Sequence, residues 1–186
     1  TLDLAEEFVQ LARAESNAYR METVNLADLM DEAVDEVWPQ AQAAHVELQV
    51  LRPSGPAPCE ADRGLLTRAI ANLVGNAVRH AADARVSLRL DGSDCSRLQV
   101  QVRNRGHIDD ELLPRLFEPF KGSFQACSGL GLGLYIVDQF VRAHGGEVAA
   151  GNRGGEVVFS LWIPRQPAAT PLAGDVRPHA APLPLE

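Results

Sequence analysis

Two hydrophobic periods alternate along the chain. In the stretch LLTRAIANLVGNAVRHA, Leu66, Ala69, Ile70, Leu73, Val74, Ala77 and Ala81 recur at steps of three and four over residues 65–81. That is the period of an amphipathic helix with one face on a core. Asp62 lies just before it, where a side-chain oxygen caps the free amides of a first turn. A second helix is predicted over 26–44, with Asn25 as its cap and Leu26, Leu29, Ala33, Val34 and Val37 inward. A third carries Leu134, Ile136, Val137, Phe140 and Val141 and stops at Gly145 and Gly146, where glycine ends helices. Residues 1–19 form a narrower stripe, Leu4, Phe8 and Leu11, which suits a coiled-coil or bundle seam.

Period two marks the strands. Val46, Leu48 and Val50 alternate over 45–51, Val86, Leu88 and Leu90 over 84–90, and Leu98, Val100 and Val102 follow after the turn residues Asp91, Gly92, Ser93 and Asp94, so the last two read as a hairpin. Residues 147–150 and 156–163 form another pair around Asn152, Arg153, Gly154 and Gly155, and a short strand is expected near Cys59. An extended linker over 20–24, a turn over 53–58 and a short helix from Asp109 through Phe117 complete the reading. Helices mixed with hairpins predict an α+β chain. The expected architecture is a two-layer α/β sandwich, its mixed sheet covered by helices on one face, plus the N-terminal helix.

Composition narrows the possibilities. A length of 186 residues allows one domain with attachments, and a net charge of −8 argues against a surface built for nucleic acid. No apolar run approaches the roughly 20 residues of a membrane span, no signal peptide opens the chain, and no membrane contact is expected of it. The three cysteines share no close spacing, which fits a reducing compartment without a zinc site. From Pro164 on, the chain is rich in proline and poor in residues that pack, and 165–186 reads as a disordered tail.

Chemistry enters with Asn72, Asn76 and Arg79, spaced i, i+4, i+7. At about 100° per residue they share one stripe beside the apolar face. The stripe is either a solvated helix edge or a row of hard oxygen ligands backed by a cation, suited to magnesium and the phosphates it bridges. The second candidate is Gly129-Leu130-Gly131-Leu132-Gly133-Leu134, directly before a helix. It is either a tight helix entry or a phosphate site, since glycines admit a ligand close to the backbone and a helix N-terminus offers free amides. Residues 121–128 before it show no periodicity and form a candidate mobile loop. A Walker A loop fails, because Lys121-Gly122-Ser123 is in the wrong order. A Rossmann turn fails because a loop, not a strand, precedes the glycines.

The order NLVGNAVRHA, VRNRGHI, LPRLFEPF, GLGLGLYIV, AHGG strongly resembles the ATP-binding catalytic domain of bacterial sensor histidine kinases, a superfamily shared with type II topoisomerase and heat-shock chaperone ATPases. The likeness implies a catalytic domain over 24–164, preceded over 1–23 by the end of a dimerisation helix and a linker. It implies ATP and Mg2+ as ligands, with Asn76 on the metal, Asn72 assisting at the phosphates, Arg79 neutralising their charge and His80 along the nucleotide. Asn104, Gly106 and Ile108 would form the adenine loop. Phe117 and Phe120 would anchor a lid that begins at Lys121. Gly129, Leu130, Gly131, Leu132, Gly133 and Leu134 would wrap the phosphates. Such a domain transfers the γ-phosphoryl group to a histidine, largely by positioning and charge neutralisation. No histidine occurs within residues 1–44, so that acceptor is expected outside the chain. The implied partners are the dimerisation and phosphoacceptor domain of the same kinase, as a homodimer, and a response-regulator receiver domain. The implied location is cytoplasmic, as part of a membrane-bound sensor.

Three positions depart from the family pattern. Asn104 stands for the usual aspartate, the second glycine of the adenine loop is missing, and Val157 stands where a threonine is usual. These predict weakened nucleotide affinity. They keep open an alternative, a degenerate domain of the same fold that acts through protein contacts. A serine kinase of the anti-sigma type is a further competitor, disfavoured by the N-terminal helix and linker.

Overall fold

The computed structural model describes residues 19–119 and 132–166. Residues 1–18 of the helix expected over 1–19, the loop at 121–128 and residues 167–186 of the expected tail lie outside them. The elements in chain order are β1 (Met21–Asn25), α1 (Leu26–Ala43), β2 (Glu47–Leu51), β3 (Pro58–Asp62), α2 (Arg63–His80), β4 (Arg85–Asp91), β5 (Arg97–Arg105), α3 (Gly133–Ala143), β6 (Glu147–Arg153) and β7 (Glu156–Pro164). The main sheet has five strands in the order β2-β4-β5-β7-β6, and β1 and β3 form a separate two-stranded ribbon. β2 runs parallel to β4 while the other neighbours are antiparallel. The sheet is mixed, as the interleaving of helices and hairpins predicts.

Alternation along the strands decides the layering. Val86, Leu88 and Leu90 of β4, Leu98, Val100 and Val102 of β5, and Val157, Phe159, Leu161 and Ile163 of β7 are buried in one continuous core with the three helices. Their neighbours Arg85, Arg89 and Arg105 are exposed on the other face, so the helices cover one side of the sheet. α2 sits at the centre. Leu66, Ala69, Ile70, Leu73, Val74 and Ala77 are buried as the periodicity predicts, and so are Ala71, Gly75 and Val78 outside that stripe. The added burial comes from α1 and α3, which pack on its flanks. Gln40 of α1 comes close enough for its side-chain Nε2 to donate to the Gly75 carbonyl at 3.3 Å. Truncating Ile70 or Leu73 to alanine in such a setting costs about 2–5 kcal/mol.

Caps fall where the sequence places them. The Asn25 side chain accepts from the Ala27 amide, and the Asp62 side chain from the Leu65 amide. Two expectations need revision. The segment read as a linker over 20–24 is extended, but Met21–Asn25 pairs along its length with β3. The helix expected from Asp109 through Phe117 is reduced to a 3-10 turn, Leu113–Arg115. Asp109 accepts the Glu111 amide on its side chain at 3.0 Å and the Leu112 amide on its carbonyl at 2.9 Å, while Pro114 has no amide with which to continue a helix.

The start of α2 is tied to the far end of α3. His144, the C-cap of α3, is 3% exposed. Its Nε2 accepts from the Asp62 amide at 2.9 Å, and its Nδ1 lies 2.5 Å from the Phe140 carbonyl. An amide donor on Nε2 and a carbonyl acceptor at Nδ1 define one neutral tautomer, protonated on Nδ1. Asp62 also receives the Arg20 amide on its other carboxylate oxygen at 2.9 Å. One residue therefore joins the incoming chain, α2 and α3.

Burial lowers the His144 pKa from its ordinary 6.5, against the smaller raising effects of the Phe140 carbonyl and the Asp62 charge. With the folded value below the unfolded one, the stability this group contributes is complete above pH 6.5 and is lost as the pH falls below it toward the folded value. Thermal melts between pH about 8 and about 5 are expected to show wild type losing stability faster than His144→Gln, so that the gap between the two narrows on acidification. A gap independent of pH would show that this imidazole does not carry the effect.

Candidate functional site

On a helix buried so widely, the polar side chains mark what the core leaves uncovered. Asn72 and Asn76 are half-buried, and Arg79 and His80 are exposed at the C-terminal end of α2. The Asn72 amide reaches the Gly133 carbonyl at 3.5 Å, which brings the asparagine stripe to the first residue of α3. The Asn76 side chain makes no hydrogen bond to any described residue, and no described carboxylate pairs with Arg79. Leu132 is buried at the N-cap of α3 and its side chain makes no cap hydrogen bond. Among the described residues the first-turn amides thus lack the usual side-chain acceptor, and a helix N-terminus of this kind favours an anion. A Cβ built on Gly133 meets no described atom within 4 Å, so no described neighbour demands a glycine there.

The second part of the site lies where β5 ends. Asn104 is 3% exposed, and its Nδ2 donates to the His80 carbonyl at 3.2 Å and the Arg105 carbonyl at 3.1 Å. Both partners are acceptors, so chemistry fixes the orientation of the amide. The nitrogen faces the backbone and Oδ1 faces away, receiving no hydrogen bond from a described residue. An aspartate could not make these two bonds. The last turn of α2 is further held by the Ala82 amide on the Arg105 carbonyl at 3.0 Å. Desolvation, and secondarily the Arg79 charge, lower the pKa of His80, so its imidazole is neutral at pH 7 and leaves Arg79 as the cation of this turn.

Gly106 has φ 152°, a conformation that side-chain-bearing residues rarely adopt, and its amide donates to the Gly155 carbonyl at 3.2 Å. A Cβ there would lie 3.5 Å from both Asn104 Nδ2 and the His80 carbonyl. Ile108 is half-buried against the core. Its amide donates to Asn152 Oδ1 at 2.9 Å, and its carbonyl accepts from Asn152 Nδ2 at 2.6 Å. Val157 lies opposite both Asn104 and Asn152 in the sheet, so Asn152, Val157 and Asn104 form one row across three strands beneath the loop.

The expected site residues thus fall into two groups. Asn72, Asn76, Arg79, Leu132, Gly133 and Leu134 lie at the junction of α2 and α3. Asn104, Gly106 and Ile108 lie at the end of β5, and the last turn of α2, with His80, joins the groups. Phe117 packs partly buried against the core. Phe120, Lys121, Gly129, Leu130 and Gly131 lie outside the described residues. Asn152 is the residue that reading the sequence missed, because it was assigned to a turn. The signal was present: β6 and β7 run to Arg153 and Glu156 on either side of Gly154 and Gly155, which pairs Asn152 with the inward-facing Val157. Among the described residues no cluster of three His, Cys, Asp or Glu could hold a metal. A cation here would rest on an amide oxygen such as that of Asn76 together with oxygens of the ligand itself, a donor set suited to magnesium.

The family model for the histidine kinase-, DNA gyrase B- and HSP90-like ATPases matches residues 61–167. The chain belongs to this family. Within it, the chain is 30% identical over 169 residues to the probable sensor protein PcoS of Escherichia coli, covering 86% of this chain and 35% of the relative. It is 31% identical over 168 residues to the sensor protein CutS of Streptomyces coelicolor, covering 87% of this chain and 40% of the relative. The chain therefore spans well under half the length of these relatives. Among solved structures, the catalytic domain of the histidine kinase ThkA superposes with a TM-score of 0.71 at 26% identity, covering 80% of this chain and 97% of that one. Full-length ShkA in complex with AMPPNP superposes with a TM-score of 0.76 at 27% identity, covering 92% of this chain and 37% of that one. This ATPase-family domain is thus of the histidine kinase type, with the α+β fold of their catalytic domains.

In this member of the family, Asn104→Asp is expected to lower stability by about 1–3 kcal/mol, because a carboxylate would replace two donors facing carbonyl oxygens. Gly133→Ala is expected to leave the melting temperature nearly unchanged, since its Cβ meets no described atom within 4 Å. Chemical denaturation of both variants checks the contrast, and an Asn104→Asp protein as stable as wild type would remove the assigned amide orientation.

Proposed function

We propose that this chain is the ATP-binding catalytic domain of a two-component sensor histidine kinase, presenting the γ-phosphoryl group of ATP to a histidine outside the chain. The observation that carries the reading is the meeting of Asn72 with Gly133 at 3.5 Å. It joins the asparagine stripe of α2 to the uncapped N-terminus of α3, in a chain whose family is one of ATPases.

Each residue has a task that follows from its chemistry. Asn76 offers an amide oxygen to Mg2+, which, when bound, neutralises phosphate charge. Asn72 and the first amides of α3 hold phosphate oxygens, with Gly133 leaving room for their approach. Arg79 adds a permanent positive charge, and neutral His80 lies along the nucleotide. Asn104 Oδ1 accepts a hydrogen bond from the amino group of adenine, Gly106 brings the backbone close to the base, and Ile108 supplies an apolar wall. On the same reading Phe120, Lys121, Gly129, Leu130 and Gly131, outside the described residues, are assigned to nucleotide binding. No residue here attacks the phosphoryl group, so the domain acts by positioning and charge neutralisation.

The partners that follow are the dimerisation and phosphoacceptor domain of the same kinase, within a homodimer, and a receiver domain that takes the phosphoryl group onward. No described helix is long and apolar enough to cross a membrane; the location that follows from the kinase reading is the cytoplasmic side of a membrane-bound sensor.

Isothermal titration with ATP and magnesium tests the reading. Wild type is expected to bind with a Kd of order 100 µM, inside the usual range of substrate affinities, and Asn76→Ala to bind at least about tenfold more weakly. Absence of binding in wild type would favour the degenerate, protein-contact alternative.

A further inference from the structure

Resting on the ATP-binding reading above, we propose that Asn152 is a positioning residue for the base. On this proposal it is the side chain that shapes the adenine loop and thereby sets the preference for adenine over guanine.

The loop from Gly106 to Asp109 has no regular structure, so its backbone groups have no ladder to satisfy them. A half-buried segment in that position needs partners of some other kind. The Asn152 side chain supplies them for Ile108, donating and accepting at once, at 2.6 Å and 2.9 Å. One primary amide thereby reproduces the paired bonds that two residues exchange across an antiparallel sheet. A longer contact from the same nitrogen reaches Asp110 Oδ1 at 3.4 Å. The hairpin of β6 and β7 holds the loop a second time, through the Gly106 amide on the Gly155 carbonyl at 3.2 Å. The loop is thus held at two points from one hairpin.

The consequence concerns the base. Asn104 Oδ1 is an acceptor whose direction is fixed by the two carbonyl oxygens behind its nitrogen. Adenine presents a donor amino group where guanine presents a carbonyl, so a fixed acceptor favours adenine. That selection works only if the base is held at one depth, and the half-buried Ile108 defines that depth on the loop side. Val157 is apolar and cannot hold the loop by hydrogen bonding. It lies between Asn104 and Asn152 in the same row of the sheet, so the polar support of this end comes from the neighbouring strand.

The experiment is a titration of the full chain, wild type and Asn152→Ala, with ATP and with GTP in the presence of magnesium, alongside thermal melts. Loss of the two loop bonds is expected to weaken ATP about tenfold and GTP far less, so that the ATP-to-GTP preference collapses. Asn152→Asp keeps the acceptor for the Ile108 amide and loses the donor. It is expected to fall between wild type and Asn152→Ala, and it carries the test if the alanine variant does not fold. Equal weakening of both nucleotides would reduce Asn152 to a structural role and overturn the proposal. So would unchanged ATP affinity in a variant whose wild type binds ATP, and in that case the ATP-binding reading stands. A wild type that binds neither nucleotide overturns both.

Discussion

The burial of α2 is the constraint on which the rest of this domain depends. A surface helix gives one stripe to the core and keeps the remainder in water. α2 gives far more, because α1 and α3 close on its flanks while the sheet lies beneath. Small residues make the closure possible: Ala69, Ala71, Gly75 and Ala77 are all buried, and Gln40 reaches the backbone at Gly75. What remains uncovered is a narrow strip, and Asn72 and Asn76 occupy it. Their half-burial is therefore set by helix packing, and their place beside the start of α3 follows from the contact between those two helices.

Both ends of α2 are held by side chains that bond to backbone. At the start, Asp62 caps Leu65 on one carboxylate oxygen and takes the Arg20 amide on the other, while its own amide is held by His144. At the end, Asn104 bonds to the His80 carbonyl. The helix is fixed between the incoming strand and α3 at one end and β5 at the other. In this arrangement the asparagine stripe beside α3 and the loop after β5 keep a defined separation, which is what the proposed positioning role requires. The exposed ion pairs between α1 and α2, such as Glu36 with Arg68, add little by comparison because water screens them.

Much of this was legible in the chain itself, for identifiable reasons. The helices at 26–44 and 65–81 and the strands at 84–90 and 98–102 announce themselves because each has one buried face, which leaves its period in the residue order. Asn72, Asn76, Arg79 and the glycine run stand out because a polar or flexible residue beside an apolar period calls for a separate cause. The missed features share another property. Met21–Asn25 becomes a strand only by pairing with a segment tens of residues away. The turn at Leu113–Arg115 is set by Asp109 and Pro114 against an acidic start that otherwise signals a helix. Asn152 acts on Ile108, a residue from a different strand's end.

By itself, then, the sequence determined the elements, the family and the identity of the polar residues along α2, because these depend on local periodicity and on motifs read in order. The tertiary structure alone decided how far α2 is buried, which way the Asn104 amide faces, and which side chain supports the loop after β5. Those outcomes depend on where strands and helices far apart in the chain come to lie, and a hydrogen bond between them leaves no periodic trace in either segment.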